Sequence, residues 1–442
     1  MNGENLSFYW GIPFLGVLFS LSLGPYVCPK FWHDHSGKIL GFWPLILIIG
    51  LNSFSEISIF EEIIETFFNH YFPFIIFLGT LYIISGGIFL KTEFQTSPLK
   101  NTCFLMIGTF FASIIGTTGA LLLFIKPFLN VNKERLSKKH LVIFLIILVG
   151  NMGGALTPLG DPPLFLGYLK GIDFFWVTKN LSGPFFMMTL PLLTLFYGID
   201  SFYWKKERSA LRSFKKGKFT FHLKGSLNFL FLGGVIILLL ASKRWEIYGS
   251  ITVFNTSIKV SGLLREGGLL LLSLFSWIMT PKIYRVHNKF SWAPLSDIVR
   301  VFSALFITII PIFIFLNTKV NITELVQALG LSEKQNMAPF YFWSTGLLSA
   351  FLDNAPTYLV FFKTTGMDAK ILMREGSKNL IAISCSAVFM GALTYIGNAP
   401  NFLAKDIAEE EHIEMPGFFK YMAWVSLVLL PLFGCVTFFF LY

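Results

Sequence analysis

Charged residues are scarce in this chain. They make up 14% of its 442 residues, against 54% hydrophobic and 17% aromatic residues, and the mean hydropathy is +0.66. So little charge cannot clothe a soluble protein of this length, which would divide into domains with charged exteriors. The four cysteines, Cys28, Cys103, Cys385 and Cys435, are scattered without ligand spacing. That excludes a disulfide framework and a thiolate metal site. None of the seven histidines is expected in the middle of a span, which argues against a histidine proton relay. The first ten residues hold Glu4 and no basic residue, so the charged start of a cleavable signal is missing and the first span is expected to stay.

What the chain does have is apolar runs of membrane-spanning length from end to end. Spans are expected at 6–27, 39–55, 72–90, 140–170, 182–203, 227–242, 263–280, 298–317, 377–407 and 418–441. The fold class is therefore an all-α polytopic membrane protein of about ten full spans. The net charge of +10 does not indicate nucleic acid, because its location points to topology instead. Eight basic residues and one acid, Glu207, lie between Lys205 and Lys224, and a second basic cluster runs from Lys126 to His140. Short basic loops beside apolar spans mark the cytoplasmic side. The acidic stretch from Glu56 to Glu65 reads as an amphipathic interfacial helix on the external side.

One segment occurs twice. Gly154-Ala-Leu-Thr-Pro-Leu-Gly-Asp-Pro-Pro-Leu-Phe-Leu166 returns as Gly391-Ala-Leu-Thr-Tyr-Ile-Gly-Asn-Ala-Pro-Asn-Phe-Leu403, identical at eight of thirteen positions, with an offset of 391 − 154 = 237. Asp161 is answered by Asn398. The same offset places Lys126 on Lys363 and the residues Thr117–Gly119 on Asn354–Pro356. Both of those tips interrupt apolar stretches, 101–125 and 335–362. Basic residues flank 101–125 on both sides, and counting it as a full span would put the Lys205–Lys224 cluster outside. It is therefore expected to enter and leave from the cytoplasm as a re-entrant hairpin, and 335–362 to do the same from outside. The chain divides into an N-terminal span and loop (1–38), a first repeat (39–203, with hairpin 101–125 and broken helix 140–170), a basic cytoplasmic loop with a linking span (204–262), and a second repeat (263–442, with hairpin 335–362 and broken helix 377–407). The repeats are expected to be inverted, with the N-terminus external.

In hydrocarbon an unpaired backbone N–H or C=O is costly, so irregular backbone survives where it lines a cavity or coordinates something. Gly153, Gly154, Pro158, Gly160, Pro162 and Pro163 cannot share one continuous helix. The chain should unwind there and expose carbonyls and half-helix ends, which suit a small cation or an anion respectively. Asn151, Thr157, Thr394, Asn398 and Asn401 add neutral oxygens. Paired broken helices in corresponding halves point to a transporter's binding site. A kinked helix without a ligand explains one such break but not two matched ones.

Two carboxylates fall in the expected hydrocarbon region, Asp161 and Asp353, and neither is tolerated facing lipid. The plain structural alternative for each is a helix or hairpin cap, since Asp before Pro or at a tight turn is good turn chemistry. Function is favoured for Asp161, and the two readings stand level for Asp353. Both are candidate proton carriers. Lys126 and Lys363 read as interfacial anchors, and Arg265, Glu266 and Asp297 as ordinary charges near span ends.

Gly150-Asn-Met-Gly-Gly-Ala-Leu-Thr-Pro-Leu-Gly-Asp161 resembles the motif of NhaD-type sodium/proton antiporters, and Asp353-Asn-Ala-Pro356 resembles their hairpin signature. Both belong to the ion-transporter superfamily that includes citrate and dicarboxylate carriers and arsenite permeases. The resemblance implies two inverted repeats, each with a hairpin and an unwound helix, often in a homodimer with elevator-like movement. It also implies an ion site lined by Asn151, Thr157, Asp161, Asp353, Asn354 and Asn398, with Thr394 as the repeat partner of Thr157 and Thr117 and Thr118 at the first hairpin tip. Two departures stand out. Pro162-Pro163-Leu164 replaces the threonines that usually follow the aspartate, and Gly116-Thr117-Thr118 replaces an Asp-Asn pair.

The expected function is secondary active transport across a bacterial inner membrane, first as Na⁺/H⁺ antiport by alternating access. Na⁺- or H⁺-coupled uptake of citrate or another small organic anion is the alternative. No arginine lies near either break to clamp a carboxylate, which leans toward the cation. An intramembrane aspartyl protease built on Asp161 and Asp353 is a remote third reading, since the repeat replaces Asp161 by Asn398. The expected partners are small ions or a small organic anion and the lipid bilayer, with Na⁺ and H⁺ as coupling ions and no other cofactor.

Overall fold

The computed structural model describes residues 8–54, 59–93, 96–207, 220–254, 256–288, 290–318 and 336–442. The chain opens with two helices, α1 (Ile12–Val27) and α2 (Pro29–Phe54). Next, α3 (Ile59–Thr66) runs through a π-helical turn, Phe67–Tyr71, into α4 (Phe72–Gly86), making one rod of 28 residues. That continuity corrects two expectations. Glu61, Glu62 and Glu65 occupy the first turns of a span instead of a separate interfacial helix, with residues 55–58 of that stretch outside the described residues. His70 lies within this rod, so a histidine does sit inside a span.

The first hairpin follows as α5 (Pro98–Ile115) and α6 (Thr117–Val131), then the first broken helix as α7 (Lys139–Leu148) and α8 (Pro162–Leu169). The long α9 (Phe174–Glu207) leads to the basic loop, of which residues 208–219 lie outside the described residues. Beyond it come α10 (Leu227–Ser242), α11 (Val260–Met279), α12 (Lys282–His287), α13 (Ala293–Thr308) and α14 (Ile310–Thr318). The second hairpin is α15 (Ala338–Leu352) and α16 (Asn354–Thr364), with residue 335 outside the described residues. A short α17 (Ala369–Leu372) precedes the second broken helix, α18 (Ser377–Phe389) and α19 (Ala399–Glu410), and α20 (Phe418–Val436) closes the chain. Among the described residues four strands, β1 (Phe89–Glu93), β2 (Thr220–Lys224), β3 (Ser250–Val253) and β4 (Thr256–Lys259), form two small antiparallel ribbons, β1 with β2 and β3 with β4.

Seven helices among the described residues are long and apolar enough to cross a membrane, one of them the hairpin arm Pro98–Ile115. Shorter apolar helices accompany them, among them Tyr9–Pro25, Thr117–Val131, Lys139–Ala155, Leu227–Ser242 and Ser377–Leu393. This is an all-α polytopic integral membrane protein.

Lipid offers no hydrophobic drive between spans, so contact depends on close packing and on small residues that let backbones approach. Phe77 stacks on Phe165 with ring centroids 3.5 Å apart, fixing α4 against α8. At Gly167 an added Cβ would lie 2.3 Å from the Tyr358 hydroxyl, so glycine lets α8 pack on α16.

Both hairpins close on themselves. At the base of the first, Thr96 Oγ1 donates to Asn132 Oδ1 at 2.6 Å and Asn101 Nδ2 donates to the same oxygen at 3.0 Å. At the base of the second, the Tyr341 ring meets Phe361 edge-on at 6.5 Å. The two bases lie at opposite ends of α20. Glu414, just before that helix, pairs with Lys139 beside the first hairpin at 3.6 Å, while Asn336 beside the second hairpin donates to the Leu441 carbonyl. About 25 residues of helix separate those ends by roughly 35–40 Å.

Candidate ion and substrate site

The two tips share one backbone conformation. Gly116 has φ 82° and ψ 151°, and Asp353, 237 residues on, has φ 70° and ψ 142°. Glycine adopts that region freely, whereas an aspartate there carries about 1–3 kcal/mol of strain. Asp353 offsets part of it by accepting from the Ala355 N–H at 3.2 Å.

The two breaks share their internal bonding as well. Thr157 Oγ1 donates to the Ser113 carbonyl and accepts from Leu159 N, while Thr394 Oγ1 donates to the Ala350 carbonyl and accepts from Ile396 N. An added Cβ at Gly160 would lie 2.2 Å from the Gly154 oxygen, and at Gly397 2.6 Å from the Gly391 oxygen. Each pair is one repeat step apart, which explains why glycine and threonine recur in both motifs. The threonines therefore fold the breaks onto the hairpins, their hydroxyls committed to backbone and not directed at Asp161.

Four helices begin at this junction. α6 starts at Thr117, α8 at Pro162, α16 at Asn354 and α19 at Ala399, with Gly116, Asp161, Asp353 and Asn398 as the residues just before them. Each helix start carries about half a positive charge and unsatisfied N–H groups. Their convergence supplies the positive potential that a buried carboxylate needs.

Asp161 does not cap its own helix. Its Oδ1 accepts from Thr117 Oγ1 at 2.9 Å and from Asn398 Nδ2 at 3.2 Å, and its Oδ2 accepts from Asn354 Nδ2. The donors thus come from the first tip, the second break and the second tip. Asp161 is 2% exposed, so the capping alternative fails for it, whereas Asp353 does cap α16.

An asparagine chain extends the network across the two breaks. Asn398 Nδ2 also reaches Asn151 Oδ1 at 3.3 Å, and Asn151 Nδ2 donates to Asn401 Oδ1 at 2.7 Å. Asn401 Nδ2 in turn donates to the carbonyls of Gly391 and Thr394, both at 2.8 Å. Asn354 Oδ1 is buried and has no hydrogen-bond partner among the described residues. A lone carbonyl oxygen beside two carboxylates is a ready ligand for a hard cation or a proton donor.

Asp161, Asp353, Asn354, Asn398, Thr117 and Thr118 all line a cavity of about 60 Å³. No lysine or arginine lines it among the described residues. Tyr82, Ser85 and Gly119 line both this cavity and a second one of about 220 Å³, which reaches Lys126 and Glu410 toward the base of the first hairpin. Toward the other end, Leu166, Phe302, Phe306, Ile309, Pro356 and Leu359 form an apolar layer around a void of only about 10 Å³.

A protein-family model described as "Putative citrate transport" matches residues 3–441. The chain belongs to this family. It is a secondary transporter of the citrate-transporter type, not an enzyme. No curated protein matches it.

Two buried clusters escape the sequence reading. Asp200, within α9, is fully buried and bonded to Arg135 at 2.8 Å, His140 at 3.0 Å and Asn101 at 2.9 Å, and Arg135 also pairs with Glu207 at 2.7 Å. Glu266 is 2% exposed and paired with Arg265 at 2.6 Å, so neither is an ordinary charge at a span end.

Proposed function

We propose that the protein carries a small polycarboxylate of the citrate class across the membrane, coupled to Na⁺ or H⁺ held at Asp161 and Asp353. The observation that supports this most is Asp161 itself, buried between the two halves and bonded only to neutral donors from both. A polycarboxylate entering a cavity with two carboxylates and no cationic side chain meets repulsion. A cation or proton at Asp161 reduces that repulsion, and the four helix starts then favour the incoming anion. Loading of one species is thereby tied to loading of the other, which is the physical basis of coupling. For Na⁺ the donor set would be Asp161, Asp353 and Asn354 Oδ1, all hard oxygens.

The two halves act as inverted-topology repeats (39–203 and 263–442). On this reading the 220 Å³ cavity at Lys126 and Glu410 is the cytoplasmic approach, and the apolar layer of Leu166, Phe306 and Leu359 lies on the external side. Rocking one set of elements against the other would exchange the open and sealed ends. The membrane is a bacterial inner membrane, with the N-terminus outside.

One observation favours Na⁺/H⁺ antiport as a second reading. The central cavity, about 60 Å³, suits an ion and its water better than a citrate in this conformation. Uptake of labelled citrate and succinate into proteoliposomes under an imposed Na⁺ or pH gradient separates the two. Accumulation supports the citrate reading. Dissipation of a pH gradient by Na⁺ with no organic anion present, and no citrate accumulation, supports the antiporter.

A further inference from the structure

A third cavity, about 310 Å³, lies at the C-terminal end of α8 and has about five times the volume of the central one. Its walls come from the π turn before α4, the end of α8, the end of α10, β4 and the first turns of α11. The charged residues that line it are Lys170, Lys243, Lys259, Arg265 and Glu266. Four cations thus face one acid, and that acid is already engaged by Arg265. Lys243 pairs with Asp173 at 2.7 Å, and both are partly exposed. The central cavity has the opposite balance, with two carboxylates and no cation among the described residues.

Lys170 is the informative member. Its Nζ lies 3.0 Å from His70 Nε2, and among the described residues it forms no ion pair. An ammonium can only donate, so His70 must accept at Nε2 and carry its proton on Nδ1. One of three ammonium N–H groups is thereby satisfied, and the face of Phe313 at 5.7 Å adds a weak attraction. The other two N–H groups have no protein acceptor among the described residues. A half-buried ammonium left with a neutral partner beside a cationic cavity calls for an anionic oxygen. Lys363 and Glu65 also lie within electrostatic reach of Lys170, with opposite signs that offset one another.

Placement strengthens the reading. α8 begins at the central site and ends at Lys170, so the two cavities are about 12 Å apart along one eight-residue helix. The apolar layer around Leu166 and Phe306 stands between them. An anion approaching from outside would meet the cations first and the carboxylates second.

We propose that this cavity is an external anion site, in which Lys170 and Arg265 hold a small polycarboxylate of the citrate class before the apolar layer opens toward Asp161. The identity of the anion rests on the citrate reading above; the existence of the site does not.

Citrate titrated calorimetrically into the full chain in nanodiscs of zwitterionic lipid tests it. Wild type should bind citrate, and Asp161→Asn should retain that binding. Lys170→Gln and Arg265→Gln should each weaken it at least tenfold, and Lys170→Arg should restore most of it. Should Lys170→Gln fail to fold, the half-exposed Lys243→Gln provides the second variant, with a two- to threefold weakening. Three results overturn the proposal: no citrate binding by wild type, binding that survives Lys170→Gln but not Asp161→Asn, or loss of citrate binding once the discs contain phosphatidylglycerol. The last would assign the cavity to a lipid phosphate. Binding that depends on Lys170 in a protein that transports no citrate would leave this site standing and refute the transport reading alone.

Discussion

Asn398 occupies the position equivalent to Asp161, and its Nδ2 donates to Asp161 Oδ1 at 3.2 Å. The repeated motif therefore meets itself at the centre of the molecule, and the one position where the copies differ in charge is the contact. Two aspartates there would repel, and two asparagines would carry no charge to exchange. One of each places a single carboxylate where both halves can read its state.

The first hairpin is anchored by charge, and the corresponding positions of the second half are uncharged. Arg135, Asp200 and Asn101 correspond, at the 237-residue offset, to Leu372, Thr437 and Ala338. Arg135→Leu leaves Asp200 and Glu207 buried without their cation and should cost about 3–5 kcal/mol. The double variant Arg135→Leu/Asp200→Thr, which copies the second half, should recover part of that loss. Thermal unfolding of the three variants in detergent measures the coupling. Simple additivity would mean that the cluster does not act as a unit.

Asp353 combines strain with a cap. Asp353→Gly should relieve about 1–3 kcal/mol of backbone strain while removing the Ala355 bond, so its melting temperature should match or exceed wild type. Transport should nonetheless fall at least tenfold, because the second carboxylate is gone. Normal transport by a stable Asp353→Gly protein would reduce Asp353 to a turn residue.

Hairpin closure fixes sidedness. In a cysteine-free background, single cysteines at Lys100 and Ser137 should both label from the cytoplasm, and cysteines at Asn336 and Thr365 both from outside. A pair that labels from opposite sides would make that hairpin a full crossing.

Proton and cation compete for one carboxylate. As pH falls, protonation of Asp161 removes the charge that Na⁺ needs, so the apparent Na⁺ affinity should weaken by up to about tenfold per pH unit. Raising the pH should restore it until the carboxyl is fully ionised. Sodium titrations of transport at several pH values, with external and internal pH clamped together, follow the trend. An affinity indifferent to pH would separate the Na⁺ site from Asp161.

Much of this arrangement is legible in the residues because glycine, proline and threonine act locally. Gly154 and Gly160 mark a backbone crossing and recur as Gly391 and Gly397, and Pro163, in the first turn of α8, recurs as Pro400 in the first turn of α19. The first hairpin is legible because basic residues flank both ends of 101–125, and the second because it repeats the first at the 237-residue offset. Long-range pairing is not legible in this way. Arg135 looks like one more cytoplasmic loop charge, and Asp200 sits in an apolar run, yet they meet across 65 residues of chain. Thr157 and Thr394 have the right chemistry for ligands, but only coordinates reveal that backbone carbonyls take their hydroxyls. The π turn at Phe67–Tyr71 joins two segments that composition separates, which is why His70 escapes notice.

The central claim is that Asp161 couples a cation to the movement of a polycarboxylate. Accumulation of labelled citrate in proteoliposomes, driven by an imposed Na⁺ or pH gradient, tests it with wild type and Asp161→Asn at equal protein content. Asp161→Asn removes a buried charge without leaving a hole, so the variant should fold and reconstitute. Wild type should concentrate citrate inside the vesicles, and Asp161→Asn should show no accumulation under either gradient. Accumulation by Asp161→Asn at the wild-type rate would contradict the account.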